Sequence, residues 1–317
     1  MIDPHASETR RTFADLIEQK YLSLEQSPDA LASSEISPSA KQWQGFIATM
    51  LLWFGAMALA FSVIFFIAAN WQDIGRMTKF ALVEIALVMA MVSFVKCKHD
   101  NKLKQASLVV SMLLVGALMA LFGQTYQTGA DPWQLFFNWA IVTTPWVIIS
   151  RSSVMWVLWL QLLNLSVGLY YQTFGGFLSY NWPLFLFNAL ALLVWQVSVV
   201  KYSFLNKGWA INWLALVSSY FGLWVFSQAL FDDRPIQVLI WCGWAGALFY
   251  IYRYRTLNVF MLAVWSLSIL VAGNALLIKI LPDSFDAFSF LILTSVTVAG
   301  GTYLTVWLKG LSKVSRL

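Results

Sequence analysis

Glu84 has the least ordinary setting of any reactive side chain in this sequence, because it is a carboxylic acid inside the apolar run 78–95. No other Asp, Glu, Lys, Arg or His stands in the interior of an apolar run long enough to cross a bilayer. An acid at mid-bilayer costs ~2.5 to 3.5 kcal/mol on insertion scales, and less nearer the interface. A residue kept against that penalty is expected to bind or carry something. Its neighbours three and four positions away on a helix, Phe80, Ala81, Leu87 and Val88, are all apolar, so any partner must come from another helix. The chemical candidates are amides. Asn138, Asn164, Asn188 and Asn274 fall at depths comparable to that of Glu84 from the corresponding ends of their own apolar runs, and Gln228 is nearer the end. Gln161 is more central, and Gln196 and Asn212 sit toward the opposite end.

Two readings of this polar layer compete. In one, the amides are interhelical glue worth ~0.6 kcal/mol each and Glu84 is a neutral, hydrogen-bonded acid. In the other, they line an outward-opening wet cavity where Glu84 binds a cation or proton, or anchors a ligand's amine. Loops at that end supply a possible lid: Asn70, Trp71 and Asp73 in one, and Gln124, Tyr126, Gln127, Asp131 and Trp133 in the next. Side chains of these types recognise sugars, peptides or lipid headgroups, although most such loops only cap helices.

Other chemistries lack their residues. His5 and His99, the only histidines, both fall in polar segments, which removes His-based metal, haem and Ser/His or Cys/His sites from the apolar runs. No Gly-rich phosphate loop followed by Lys-Ser or Lys-Thr occurs, and no HExxH helix. One buried carboxylate cannot run a two-carboxylate mechanism. The expectation is a protein that is not an enzyme and needs no cofactor or metal. Cys97 and Cys242 form no disulfide framework.

The elements that must position these residues follow from composition. With 60% hydrophobic and 11% charged residues and a mean hydropathy of +0.70, the chain lies far outside the soluble range of about 25% charge. It is expected to be all-α, a polytopic helical bundle in the lipid bilayer. Ten apolar runs are placed near 45–69, 78–95, 106–123, 134–149, 153–170, 183–200, 208–230, 235–252, 257–279 and 287–308. The run 134–149 is short, and its division from 153–170 at Ser150-Arg151-Ser152 is the weakest.

Ten crossings place sixteen Lys and Arg on one side and four, Arg76, Lys79, Arg234 and Lys279, on the other. Because cytoplasmic loops carry the basic excess, both termini are expected inside. The net charge of +5 thus follows topology and gives no reason to expect a nucleic-acid partner. Ahead of the spans, residues 1–44 form a polar segment with no cleavable secretory signal. Phe13, Leu16, Ile17, Tyr21 and Leu24 give 9–26 the spacing of a short amphipathic helix. Residues 45–308 make the membrane domain, and 309–317 a short basic tail. A weak internal echo relates Tyr126-Gln127-Thr128 and Asn138 to Tyr171-Gln172-Thr173 and Asn188, by duplication of a hairpin or by composition alone.

Phe66-Ile67-Ala68-Ala69-Asn70-Trp71 and Gly123-Gln124-Thr125-Tyr126-Gln127-Thr128-Gly129-Ala130-Asp131, followed by Leu135-Phe136 and Trp139, resemble a bacterial family of predicted membrane proteins, a domain of unknown function (two-one-five-seven). The run Leu16 to Gln26 is similar to the helical segment that precedes the first span there. The likeness covers roughly 10–170. It implies a bacterial membrane protein, and carries over no activity, cofactor or catalytic residue. The best functional expectation is binding or translocation of a small solute, proton or lipid headgroup through a cavity containing Glu84, at the bacterial inner membrane. The rival is a non-enzymatic assembly or envelope scaffold that recruits a protein partner through residues 1–44.

Overall fold

The computed structural model describes residues 39–97, 101–175, 181–281 and 286–314, with 12, 16, 17, 19 and 21 from the N-terminal segment. The amphipathic helix expected over 9–26 lies largely outside the described residues, and so do His5 and His99.

Among the described residues the chain is all-helical, as its composition requires. Ten helices run in order: α1 (Ala40–Ala69), α2 (Arg76–Lys96), α3 (Asn101–Tyr126), α4 (Pro132–Ser150), α5 (Ser153–Phe174), α6 (Asn181–Lys201), α7 (Gly208–Phe231), α8 (Pro235–Tyr250), α9 (Val259–Ile280) and α10 (Ala287–Val314). A 3-10 turn, Ser203–Leu205, links α6 to α7, and a π-helical turn, Ile251–Arg255, extends α8. Local chemistry explains several boundaries. Ser39 and Gln42 form a reciprocal capping box that starts α1 five residues before the apolar run at 45. Pro132 and Pro235 open α4 and α8 at positions where a missing N–H costs nothing. Arg151, at φ 44°, turns the chain through a left-handed residue and makes α4 and α5 two separate helices.

Nine of these helices are long and apolar enough to cross a membrane. The exception is α4, the element whose sequence signal was weakest. Its 19 residues reach ~28 Å at 1.5 Å per residue, but Gln134, Asn138, Thr143, Thr144 and Pro145 dilute its apolarity. The two hydroxyls are absorbed locally, since Thr143 Oγ1 donates to the Trp139 carbonyl and Thr144 Oγ1 to the Ala140 carbonyl at 2.8 Å each. On the neighbouring helix, Trp159 Nε1 donates to the Ala140 carbonyl and to Thr144 Oγ1 at 3.0 Å each.

Burial is organised in two groups that meet at α5. Val83, Leu114, Leu121, Met112, Val147 and Met155 centre the packing of α1 to α5. Leu192, Leu214, Met261, Leu262 and Trp265 centre α6 to α10. Trp156 on α5 packs against both groups. The outward faces of the bundle stay apolar: Leu51, Phe54, Leu59 and Phe65 on α1, and Phe288, Phe290 and Tyr303 on α10, are all exposed. Continuous apolar surface of that extent requires lipid around it.

At one end the α7–α8 turn is clasped to α9. Lys279 Nζ donates to the Leu230 carbonyl, satisfying an orphan acceptor at the end of α7, and to the Asp233 carboxylate, while Arg234 and Asp232 pair at 3.5 Å beside it. This is the end where α1 meets α2, and it carries the few basic residues expected to face outward.

Candidate functional site: an acidic cleft between α2, α3 and α4

Glu84 stands on the ninth residue of α2, ~12 Å along the helix from Arg76. It belongs to an exposed stripe that includes Ile85, Val88 and Met89, and its carboxylate opens onto a cavity of about 850 Å3 bounded by three helices. Phe80 and Glu84 come from α2, Leu118, Met119, Ala120, Phe122, Gly123 and Gln124 from the end of α3, and Pro132, Gln134, Leu135 and Asn138 from the first two turns of α4. The loop Gln127 to Asp131 closes the outer rim. Backbone conformation shapes that rim: Gln127 at φ 46° and Gly129 at φ 65° both adopt the left-handed region, which turns the chain back over α3 within five residues. A volume of this size suits a small ligand.

The polar groups of this cleft are unspent. Among the described residues, Glu84 has neither a hydrogen-bond nor an ion-pair partner, and the salt bridges lie elsewhere, at Asp232 and Asp233. Asp131 is the N-cap of α4, yet its side chain makes no capping bond, leaving a second carboxylate free at a helix N-terminus, where negative charge is favoured. The side chains of Gln124, Gln127, Gln134 and Asn138 likewise make no hydrogen bond within the described residues. Among the described residues no Lys or Arg lines the cleft.

Nearby cations are engaged outside it. Lys79 is buried, with Nζ 3.7 Å from the centre of the Trp71 ring, and the Arg76 guanidinium lies 5.6 Å from the Tyr126 ring. Glu84 is therefore not the only charged residue of its helix: α2 begins two residues before the apolar run 78–95, which adds Arg76, and Lys79, already inside that run, falls in its first turn. Lys79 is tolerated there because an aromatic face replaces lost hydration.

The remaining expected site residues are distributed differently. Asn164 Nδ2 donates to Asn188 Oδ1 at 2.6 Å, and Asn188 Nδ2 donates to the Leu184 carbonyl at 2.8 Å. Both are buried between α5 and α6. Asn274 Nδ2 donates to the Leu270 carbonyl at 2.9 Å, and its Oδ1 accepts from Thr297 Oγ1 at 2.9 Å. These three line no common cavity with Glu84. Of the layer read from the sequence, Glu84 and Asn138 share the cleft, and the other three amides join helix pairs.

The loop residues also divide. Gln124, Gln127 and Asp131 line the cleft. Asn70 closes α1 by donating to the Phe66 carbonyl at 2.8 Å; Trp71 covers Lys79; Asp73 lies exposed in the same turn. Tyr126 packs at a tilt against Phe122, ring centres 4.7 Å apart, and Trp133 packs edge-on against Tyr170 at 5.1 Å. Gln134 was missed by the sequence reading; its place four residues before Asn138, on the same face of α4, was the available signal.

No curated protein and no solved structure matches the chain. Residues 14–156, the stretch that holds every side chain of the cleft, match the family described as predicted membrane protein (DUF2157).

Proposed function

We propose that the α2–α3–α4 cleft captures a small cationic solute, or the amine of a lipid headgroup, and that Glu84 is the group that holds its charge within the membrane. The observation that carries this reading is the contrast between spent and unspent amides. Asn164, Asn188 and Asn274 are consumed by bonds inside the protein, while Glu84, Asp131 and Asn138 present free polar atoms to one cavity lined by no basic residue. Two carboxylates beneath low-dielectric walls favour positive charge, and a polar group facing such a cavity gains most from a ligand that replaces its water. Capture from the outer face, followed by translocation, is the non-enzymatic activity this arrangement supports.

The orientation belongs to the same proposal. Of the described Lys and Arg residues, eleven lie at the end bearing Lys41 and Lys309 and four at the cleft end, which supports a bacterial inner-membrane protein with the basic end and both termini in the cytoplasm.

The test uses the full chain in detergent and a lipophilic cation, tetraphenylphosphonium, in equilibrium dialysis. Glu84→Gln and Asp131→Asn are each expected to weaken binding about tenfold, equivalent to ~1.4 kcal/mol. Asn274→Ala should bind as the unaltered protein does. Binding that survives the Glu84→Gln/Asp131→Asn double substitution would sink the proposal. Removal of residues 1–38 discriminates the scaffold reading: it should leave cation binding intact, and loss of a co-purifying protein partner together with unchanged growth of cells carrying Glu84→Gln would move the function to that segment.

A further inference from the structure

At the opposite end of the bundle a second cavity, of about 700 Å3, lies between α4, α5 and α6. Its composition is the inverse of the acidic cleft. Arg151 and Lys201 stand at its mouth, with the Tyr202 and Ser203 side chains beside them, and no carboxylate among the described residues lines it. Neither Arg151 nor Lys201 has an ion-pair partner among the described residues; Lys201 Nζ lies 5.4 Å from the Tyr202 ring. Arg151 also borders a smaller adjoining cavity of about 280 Å3, where Lys207 adds a third positive charge.

From this basic mouth the wall runs along α6 from Lys201 to Ala191, ~15 Å into the membrane, over Trp159, Leu160 and Val194. Ile148 and Val194 are more than half exposed, so the cavity opens sideways toward the acyl chains. Its floor is held by hydrogen bonds: Trp195 Nε1 donates to the Leu205 carbonyl at 3.3 Å, Ser153 Oγ donates to the Phe204 carbonyl, and Trp159 is anchored on α4.

We infer that this cavity is a binding site for one anionic phospholipid, with its phosphate between Arg151 and Lys201 and one acyl chain along the Trp159–Val194 wall. Charge complementarity selects an anion. The apolar slot that continues from the cations into the membrane, open along its side, selects an anion attached to a hydrocarbon chain. Basic pockets between membrane helices select anionic headgroups through this combination, and a guanidinium adds bidentate geometry for phosphate. Binding here would tie α4 and α5 to α6, the seam between the two packing groups of the bundle.

The experiment is native mass spectrometry of the full chain extracted from vesicles of phosphatidylglycerol and phosphatidylethanolamine in equal amounts. The expected result is retention of one phosphatidylglycerol in preference to phosphatidylethanolamine. Arg151→Asn/Lys201→Gln should reduce retention at least fivefold. Asn is chosen because it tolerates the left-handed conformation at this turn. Ala191→Phe, which keeps both cations and fills the slot, should also reduce retention. Arg255→Gln/Lys309→Gln, which removes two charges at the same end from outside the cavity, should not. Equal retention of both lipids, equal effects of the two charge pairs, or displacement of the lipid by millimolar inorganic phosphate would each overturn the inference, the last by making free phosphate the ligand.

Discussion

Asn138 and Asn188 show how far residue type alone can mislead. Both follow aromatic residues near the start of a helix and stand in the two halves of the same internal echo, yet one faces a cavity and the other is locked to Asn164. Stability measurements should separate them. Asn188→Ala strips Asn164 of its acceptor in a buried setting and is expected to cost ~1–3 kcal/mol, with a coupling of ~0.6–1.7 kcal/mol to Asn164→Ala in a double-mutant cycle. Asn138→Ala removes no internal bond and is expected to leave the unfolding midpoint in place. A loss at Asn138 equal to that at Asn188 would mean that its amide is structural, removing half of the intramembrane polar pair on which the cleft proposal rests. The chain made the polar residues of the layer visible. It could not show their partners, because an amide's choice between a neighbouring helix and water depends on helix rotation, which faint amphipathicity in a lipid-facing bundle does not specify.

Helix rotation is set by close contacts, and the one beneath the cleft involves a glycine. Gly116 on α3 receives the Trp139 indole of α4, where an added Cβ would meet ring atoms at 2.3 to 2.5 Å. The ring cannot slide away freely, because its Nε1 donates to the Met112 carbonyl at 2.7 Å. Gly116→Ala is therefore expected to destabilise the protein by ~1–3 kcal/mol through overpacking, and to weaken cation capture by shifting α4 and with it Asn138 and Asp131. Gly300→Ala is the informative comparison. There the added Cβ meets the end of the Leu270 side chain at 2.5 Å, a group that can change rotamer, so a smaller loss is expected in the same thermal-unfolding assay. Element identity was legible from apolar run length, and nine of the ten helices need nothing more. Gly116 was not singled out, although Ala120 four residues on completes a small-xxx-small pair, which was the available signal of a close crossing. In the glycine pair Gly300-Gly301, only the first position is in close contact.

For the whole molecule, the decisive element is the least apolar one. If α4 crosses the membrane, the acidic cleft and the Lys279–Asp233 clasp lie on one side, and the basic cavity at Arg151 and Lys201 lies on the other. If α4 did not cross, everything from α5 onward would invert relative to α1–α3, and its two threonine hydroxyls would have less need to be paired internally. The bonds from Thr143 and Thr144 to the carbonyls one turn earlier, and the donation of the Trp159 N–H to both the Ala140 carbonyl and Thr144 Oγ1, are what a spanning helix with hydroxyls and a proline needs in hydrocarbon. The measurable consequence is parity. With Cys97 and Cys242, both free, replaced by Ser, single cysteines at Gln72 and Phe231 are separated by six helices, α2 through α7. Both are expected to react with a membrane-impermeant maleimide added to intact cells. A cysteine at Arg255, one helix further on, should react only after permeabilisation. Opposite accessibility at 72 and 231 would mean that an odd number of segments crosses between them. In that case α4 would lie along the membrane surface, Asp131 and Asn138 would leave the depth of Glu84, and the cleft would lose its third wall.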